Sequence, residues 1–217
     1  MKKLMRDPVF VPRWNVSLEE ERRLALERLR LLFVGSPDRD RMDLILLALS
    51  QVVVQGVAIQ LTFAGCSRQR FLALPHVNAT AVGALGNHLQ FIEWVPYAQL
   101  PAVIAQADYG LLFRPNQRCI RAGFPSKAPE MLAKGTPLLC NLTTDLGTYI
   151  RDGVNGLVVP ELTAAALAAT IRRARNLSPM AYLQMRANAR ATAEAHFDYR
   201  TMVAPLQAFL APRAEEP

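Results

Sequence analysis

Between Asp108 and Glu130 the sequence carries Arg114, Arg118, Arg121 and Lys127 and not one acid. Four cations with no intervening carboxylate make a compact positive field, and a diphosphate fits that description. The stretch Ser126-Lys-Ala-Pro-Glu130-Met-Leu-Ala-Lys-Gly135-Thr-Pro137 reads as a short helix. Ser126 is its expected N-cap, Lys127 to Pro129 its first turn, and Gly135 with Thr136-Pro137 its stop. Pro129 costs little there, because its missing N–H would have had no intrahelical partner. The remaining free N–H groups and the positive end of the helix dipole are open to an anion, with Lys127 as a mobile charge beside them. Glu130, one turn in, is poorly placed for a phosphate, whereas its carboxylate suits two hydroxyls of a sugar such as ribose.

The elements that must position these groups follow a βα rhythm, which predicts a parallel sheet in a Rossmann-like three-layer α/β domain. Strands are expected near residues 31–35, 58–64, 90–94, 109–113, 137–141 and 156–159. Helices are expected at about 41–54, 66–73, 98–106, 126–134 and 143–150, then a helical tail at 162–176, 179–195 and 200–210. Ser17 with Glu20 offers a capping box for a helix through about Leu29, so residues 1–30 read as a linker-like segment and 31–217 as the domain. Ligands of open α/β sheets bind outside the carboxyl ends of the strands, and the Gly35 loop and the Arg114 to Lys127 loop both leave such ends. Val34-Gly35-Ser36-Pro37 lacks the G-x-G-x-x-G fingerprint, which argues against an NAD-type dehydrogenase.

Composition narrows the class further. A chain of 217 residues with 51% hydrophobic content can bury one sizeable core. Its net charge of +7 favours anionic partners: nucleotides, nucleic acid or an acidic membrane face. The cations track one helix start and not a stripe interleaved with aromatics, which disfavours nucleic acid. Cys66, Cys119 and Cys140 are odd in number and far apart, so neither a disulfide framework nor a metal site is indicated, and a reducing cytosol is the simplest compartment. Arg6, Asp7 and Pro8 arrive before any apolar leader can form, and no long apolar run follows. The Asn15, Asn78 and Asn141 sequons then carry no meaning. Arg172, Arg173 and Arg175 form a basic helix face, either solvated or touching acidic lipid. His76, His88 and His196 show no ligand spacing. Trp94-Val95-Pro96-Tyr97, at a strand end, reads as core or as the wall of a base pocket; Phe124 reads as core.

The run Arg121-Ala-Gly-Phe-Pro125-Ser-Lys127-Ala-Pro-Glu130-Met-Leu-Ala-Lys-Gly135-Thr-Pro137 resembles the donor-site motif of GT-B glycosyltransferases, in particular the bacterial group 1 (family 4) branch. The likeness continues in order through Leu31 to Ser36, Asp43 to Leu49, Phe91 to Leu112 and Asp152 to Val159, and covers roughly residues 31–210. Three departures stand out. Many family 4 enzymes carry a glutamate eight residues before the second one, and here that position is Ala122. The basic pair of the first glycine loop is blurred, with Ser36 after Gly35 and with Arg39 and Arg41 flanking Asp40. A complete GT-B enzyme has two Rossmann-like domains, and the likeness reaches only the second.

The resemblance implies a single GT-B C-terminal domain with extra C-terminal helices, binding a nucleoside diphosphate sugar such as a UDP-sugar. It implies no metal and no cofactor beyond that donor, and retention of anomeric configuration. Arg121 and Lys127 would stabilise the departing diphosphate, Glu130 would hold the ribose, and Gly35, Ser36, Arg114, Ser126, Trp94, Val95 and Tyr97 would line the nucleotide site. Expected partners are a glycan or lipid-linked acceptor in polysaccharide biosynthesis and an N-terminal GT-B domain in cis or trans, without which this chain would be inactive. A cytoplasmic location, with peripheral contact to acidic membrane, goes with that reading. The competing readings are a non-catalytic nucleotide-sugar binding module or subunit, and a GT-B nucleotide-sugar epimerase.

Overall fold

The computed structural model describes residues 28–210. Six strands form one parallel sheet: β1 (Leu29–Val34), β2 (Ile59–Ala64), β3 (Leu89–Ile92), β4 (Tyr109–Leu112), β5 (Leu138–Cys140) and β6 (Gly156–Val158), in the order β3-β2-β1-β4-β5-β6. All six are where the apolar runs predict them. The central strands read as near-continuous hydrophobic runs, such as Tyr-Gly-Leu-Leu in β4, because helices cover both of their faces. The order reverses between β1 and β4, which opens a crevice at their carboxyl ends.

One face of the sheet, with Leu31, Phe33, Leu61 and Phe63, packs against α1 (Met42–Val54), α3 (Ala79–Leu85) and α8 (Ala164–Arg175). Met42, Ile45, Leu49 and Val52 of α1 meet Leu167, Ala168 and Ile171 of α8 there. The short α2 (Arg68–Leu72) adds Phe71, whose ring packs 4.6 Å from that of Phe63. The other face, with Leu32, Val34 and Leu112, receives α4 (Leu100–Ala105), α6 (Lys127–Ala133) and α9 (Pro179–His196). Two single-turn helices, α5 (Arg118–Arg121) and α7 (Leu146–Tyr149), sit in the loops after β4 and β5. The last helix, α10 (Arg200–Leu210), is exposed along its whole length, including Met202, Val203, Leu206 and Phe209.

Helix α6 carries the candidate site, and two features fix it. Gly110 of β4 has no Cβ, and one placed there would stand 2.0 Å from Met131 Sδ, so the Met131 side chain of α6 fills the space over the strand that glycine leaves. At its far end α6 stops as expected: Gly135 N–H donates to Leu132 O (2.9 Å) and Thr136 N–H to Met131 O (3.0 Å), a Schellman pattern. Arg186 Nε, buried on α9, donates to Gly135 O at 2.9 Å, and Arg190 Nη1 donates to Ala133 O. Two cations thus meet the negative end of the helix.

Two helices escape the sequence reading. Asn78, noted only as part of a sequon, caps α3: its Oδ1 accepts the N–H groups of Thr80 (2.8 Å) and Ala81 (3.1 Å). Helix α5 is one turn inside what reads as a loop. The Ser17–Glu20 capping box lies outside the described residues, and the end expected for its helix is corrected, since Leu29 and Arg30 belong to β1.

Adding a methyl at Gly110 would collide with the buried Met131 side chain, which must repack. Gly110→Ala is expected to destabilise the fold by about 1–3 kcal/mol, the usual range for overpacking, read as a lower urea midpoint at unchanged slope.

Candidate functional site

The site begins at the turn after β1. Gly35 adopts a φ of +85°, a region closed to most L-residues, and donates its N–H to Ala64 O at 2.6 Å. Its missing side chain has a second use. A Cβ at position 35 would lie 3.0 Å from both Cε and Nζ of Lys127, so the lysine runs from the start of α6 into the space that glycine leaves. The ammonium sits 4.8 Å from the centroid of the Phe33 ring, a cation–π contact, and among the described residues no hydrogen bond or ion pair engages it. Burial pulls the Lys127 pKa down, the Asp40 carboxylate raises it and Arg114 lowers it.

Around this ammonium is a cleft of about 420 Å³, walled by Ser36, Asp38 and Arg39 from the β1 loop, Arg114 after β4, and Cys119, Ile120 and Gly123 to Ser126 ahead of α6. Its cations are Arg39, Arg114 and Lys127. Its one acid, Asp38, accepts a hydrogen bond from Arg70 Nη2 at 3.2 Å. Arg70 also donates to Ser36 Oγ (2.7 Å), and that hydroxyl donates to Asp38, which ties the rim of the β1 loop to α2. Of the two arginines flanking Asp40, Arg39 faces the cleft, while Arg41 is taken up by Asp43 through Nε at 2.8 Å.

Arg114 is held from two sides. The Asn141 side chain accepts its N–H (2.9 Å) and donates to its carbonyl (2.7 Å), extending the β4–β5 pairing by one rung. Its Nε lies 3.6 Å from Oδ2 of Asp40, whose side chain has no exposed surface. The other Asp40 oxygen accepts the N–H of Phe113 at 2.9 Å, and Arg41 N–H donates to Phe113 O at 2.8 Å, joining the β1 loop to the end of β4. Burial raises the Asp40 pKa, opposed in turn by Arg114, the Phe113 N–H and Lys127.

The structure therefore brings together Gly35, Ser36, Arg114, Ser126 and Lys127. Ser126 does not cap the helix, which corrects that expectation: it is helical itself (φ −54°, ψ −24°), its side chain accepts no backbone N–H, and Pro125 O takes the Ala128 N–H at 2.9 Å. Arg121 is exposed on α5 and lies off the cleft wall that its neighbours Cys119 and Ile120 form. Glu130 lines a separate cavity of about 90 Å³ with Arg190, Glu194, Phe197 and Asp198, and burial raises its pKa against the opposing charge of Lys127. Trp94 and Tyr97 are about three-quarters exposed and wall neither cavity, and Val95 packs into the apolar layer under α4 and α6. Phe124 is core only in part: it meets Tyr149 edge-on and Phe197, and its outer side walls the cleft.

Asp40, Asn141 and Arg70 are the site residues that the sequence leaves hidden. Asp38-Arg39-Asp40-Arg41 reads as a solvated run of alternating charge, and nothing local marks its second acid as buried. Among the described residues no group of three or more His, Cys, Asp or Glu is placed to hold a metal ion. No helix there is long and apolar enough to cross a membrane.

No curated protein sequence matched. Among solved structures, the chain is similar to the sucrose-phosphate synthase of Thermosynechococcus elongatus, with TM-score 0.67, 22% identity, and 93% of this chain and 49% of that one covered. It is similar to Anabaena HepE, solved with UDP-glucose, with TM-score 0.68, 17% identity, and 90% and 53% covered. It also matches the C-terminal domain of the group 1 glycosyl transferase LpcC from Francisella tularensis, with TM-score 0.66, 13% identity, and 88% and 96% covered. At these identities the likeness shows the fold, that of a GT-B C-terminal domain, and the chain spans about half the length of the first two. The model of the family described as glycosyl transferases group 1 matches residues 28–176, more than half of the sequence, and the chain belongs to that family.

Proposed function

We propose that this chain is the donor-binding half of a glycosyltransferase that moves a sugar from a nucleoside diphosphate to a glycan or lipid-linked acceptor. One observation carries the reading: the half-buried Lys127 ammonium, lodged in the space left by Gly35 and lacking a hydrogen-bond partner, faces a cleft that Arg39 and Arg114 also line. Such cations await an anion. In this reading Lys127 and Arg114 hold the diphosphate, and Arg121 approaches from α5 as the acceptor side closes. As the bond from sugar to phosphate breaks, negative charge grows on the leaving diphosphate. Fixed cations in a water-poor cleft stabilise that charge without reorganising, and no metal is required. Ser36 and Ser126 offer hydroxyls at the cleft wall, Glu130 takes the ribose hydroxyls, and Trp94 and Tyr97 stack the base.

Transfer also needs an acceptor held against the donor, and positioning of that kind supplies roughly 7–11 kcal/mol of barrier reduction. The first two structural neighbours are about twice the length matched here. The second wall of the site is therefore assigned to an N-terminal GT-B domain, in cis or in trans. A cytoplasmic location with peripheral membrane contact fits a lipid-linked acceptor. The same half-length match supports a second reading, a non-catalytic nucleotide-sugar binding subunit.

Three outcomes test these assignments. Lys127→Ala is expected to weaken nucleoside diphosphate by about 1.5–3 kcal/mol, roughly tenfold to a hundredfold, while leaving the nucleoside unchanged; equal calorimetric affinities for the diphosphate would remove Lys127 from the site. Ribonucleotides are expected to bind more tightly than their 2′-deoxy counterparts, and Glu130→Ala to abolish the difference. The purified chain is expected to bind UDP-sugars without transferring sugar, with radiolabel transfer appearing once a matching N-terminal domain is fused or added. Transfer by the chain alone would refute the divided site, and binding with no transfer under any partner would favour the binding subunit.

A further inference from the structure

Asp40 lies one layer beneath the cleft, and the cations above it face both ways. Arg114 is nine-tenths buried, walls the cleft, and has its Nε 3.6 Å from Asp40 Oδ2, beyond hydrogen-bond length. Lys127 walls the same cleft and interacts electrostatically with the same carboxylate. Among the described residues no donor lies within hydrogen-bond distance of Oδ2, and the Asp40 side chain has no exposed surface. On the reading of the cleft as a diphosphate site, we propose that Asp40 is the resident counter-ion of that site and takes up a proton from solvent as the diphosphate arrives.

Two anions compete for the same two cations. Burial favours the neutral form of Asp40, and Arg114, the Phe113 N–H and Lys127 favour the charged one. A dianion in the cleft adds repulsion and offsets the two cations, leaving one backbone donor. Coupling of this kind is reciprocal, so a neutral Asp40 must strengthen diphosphate binding by the same factor. The other charged groups nearby are Arg39 and Glu130 beside Lys127, Asp38 with Arg70, and Arg41 with Asp43, which also feels His76. The direction follows. Affinity is highest below the pKa of Asp40 in the free protein and falls as pH rises through its higher pKa in the complex. A second fall comes at alkaline pH, when Lys127 loses its proton.

The test is calorimetric titration of the purified chain with UDP-, GDP-, ADP- and dTDP-glucose between about pH 5 and 8, in buffers of differing ionisation enthalpy. Their diphosphates are esterified at both ends and do not titrate in this range. Net proton uptake on binding is expected, with affinity about tenfold higher at the acid end, the equivalent of one pKa unit. Asp40→Asn keeps an acceptor for Phe113 N–H and carries no charge; it is expected to bind with the acid-end affinity throughout, without proton uptake. Should that variant fail to fold, the proton count of the wild type decides alone. Binding with no proton uptake and a flat profile, or uptake that persists in Asp40→Asn, overturns the role of Asp40 and leaves the diphosphate site standing. If none of the four sugar nucleotides binds, both readings fall.

Discussion

The closeness of α6 to β4 is the constraint on which the site depends. With no side chain at Gly110, Met131 presses onto the strand, and the start of the helix comes to the carboxyl ends of β1 and β4. From that depth the four-carbon stem of Lys127 reaches the turn after β1 and ends over Phe33. A helix standing further out would leave the ammonium in water, as an ordinary surface charge. Sheet packing thus decides an electrostatic property, because the lysine is partly desolvated only where the backbone of Gly35 admits it.

Burial and charge oppose each other throughout the cleft. Arg114 and Lys127 are withdrawn from water, which lowers the pKa of Lys127 and strengthens the interaction of both with whatever anion comes near. In the free protein Asp40 supplies part of that anion from below, at a distance too long for a hydrogen bond. The arrangement is unsaturated, and an anion that binds the native state stabilises the fold by mass action. Asp38 would spoil the cleft if left free, and Arg70 holds it at the rim.

How much of this was legible varies with the range of the interaction. The six strands and the long helices follow from apolar periodicity, a local signal, and the residues of the Lys127 motif identify the helix that matters. The stop at Gly135 was equally local. A serine ahead of a helix usually caps it, whereas here Pro125 begins the turn one residue earlier and Ser126 is already helical. Asp40 and Asn141 act across 73 and 27 residues of sequence, on Phe113 and Arg114, and no spacing rule reaches so far. Lys127 and Glu130 stand three residues apart and line neighbouring cavities, the second bounded by α9, a division that their spacing does not reveal.

The carbonyl caps on α6 bear on where this module can be cut. Arg186 and Arg190 close the end of the site helix, and Ala189 and Ala193 of the same α9 complete the apolar layer beneath it. The segment that carries the family signature ends at residue 176, ahead of all four. A fragment ending at residue 176 would keep the cations of the cleft and lose the helix whose arginines and alanines hold α6 in place.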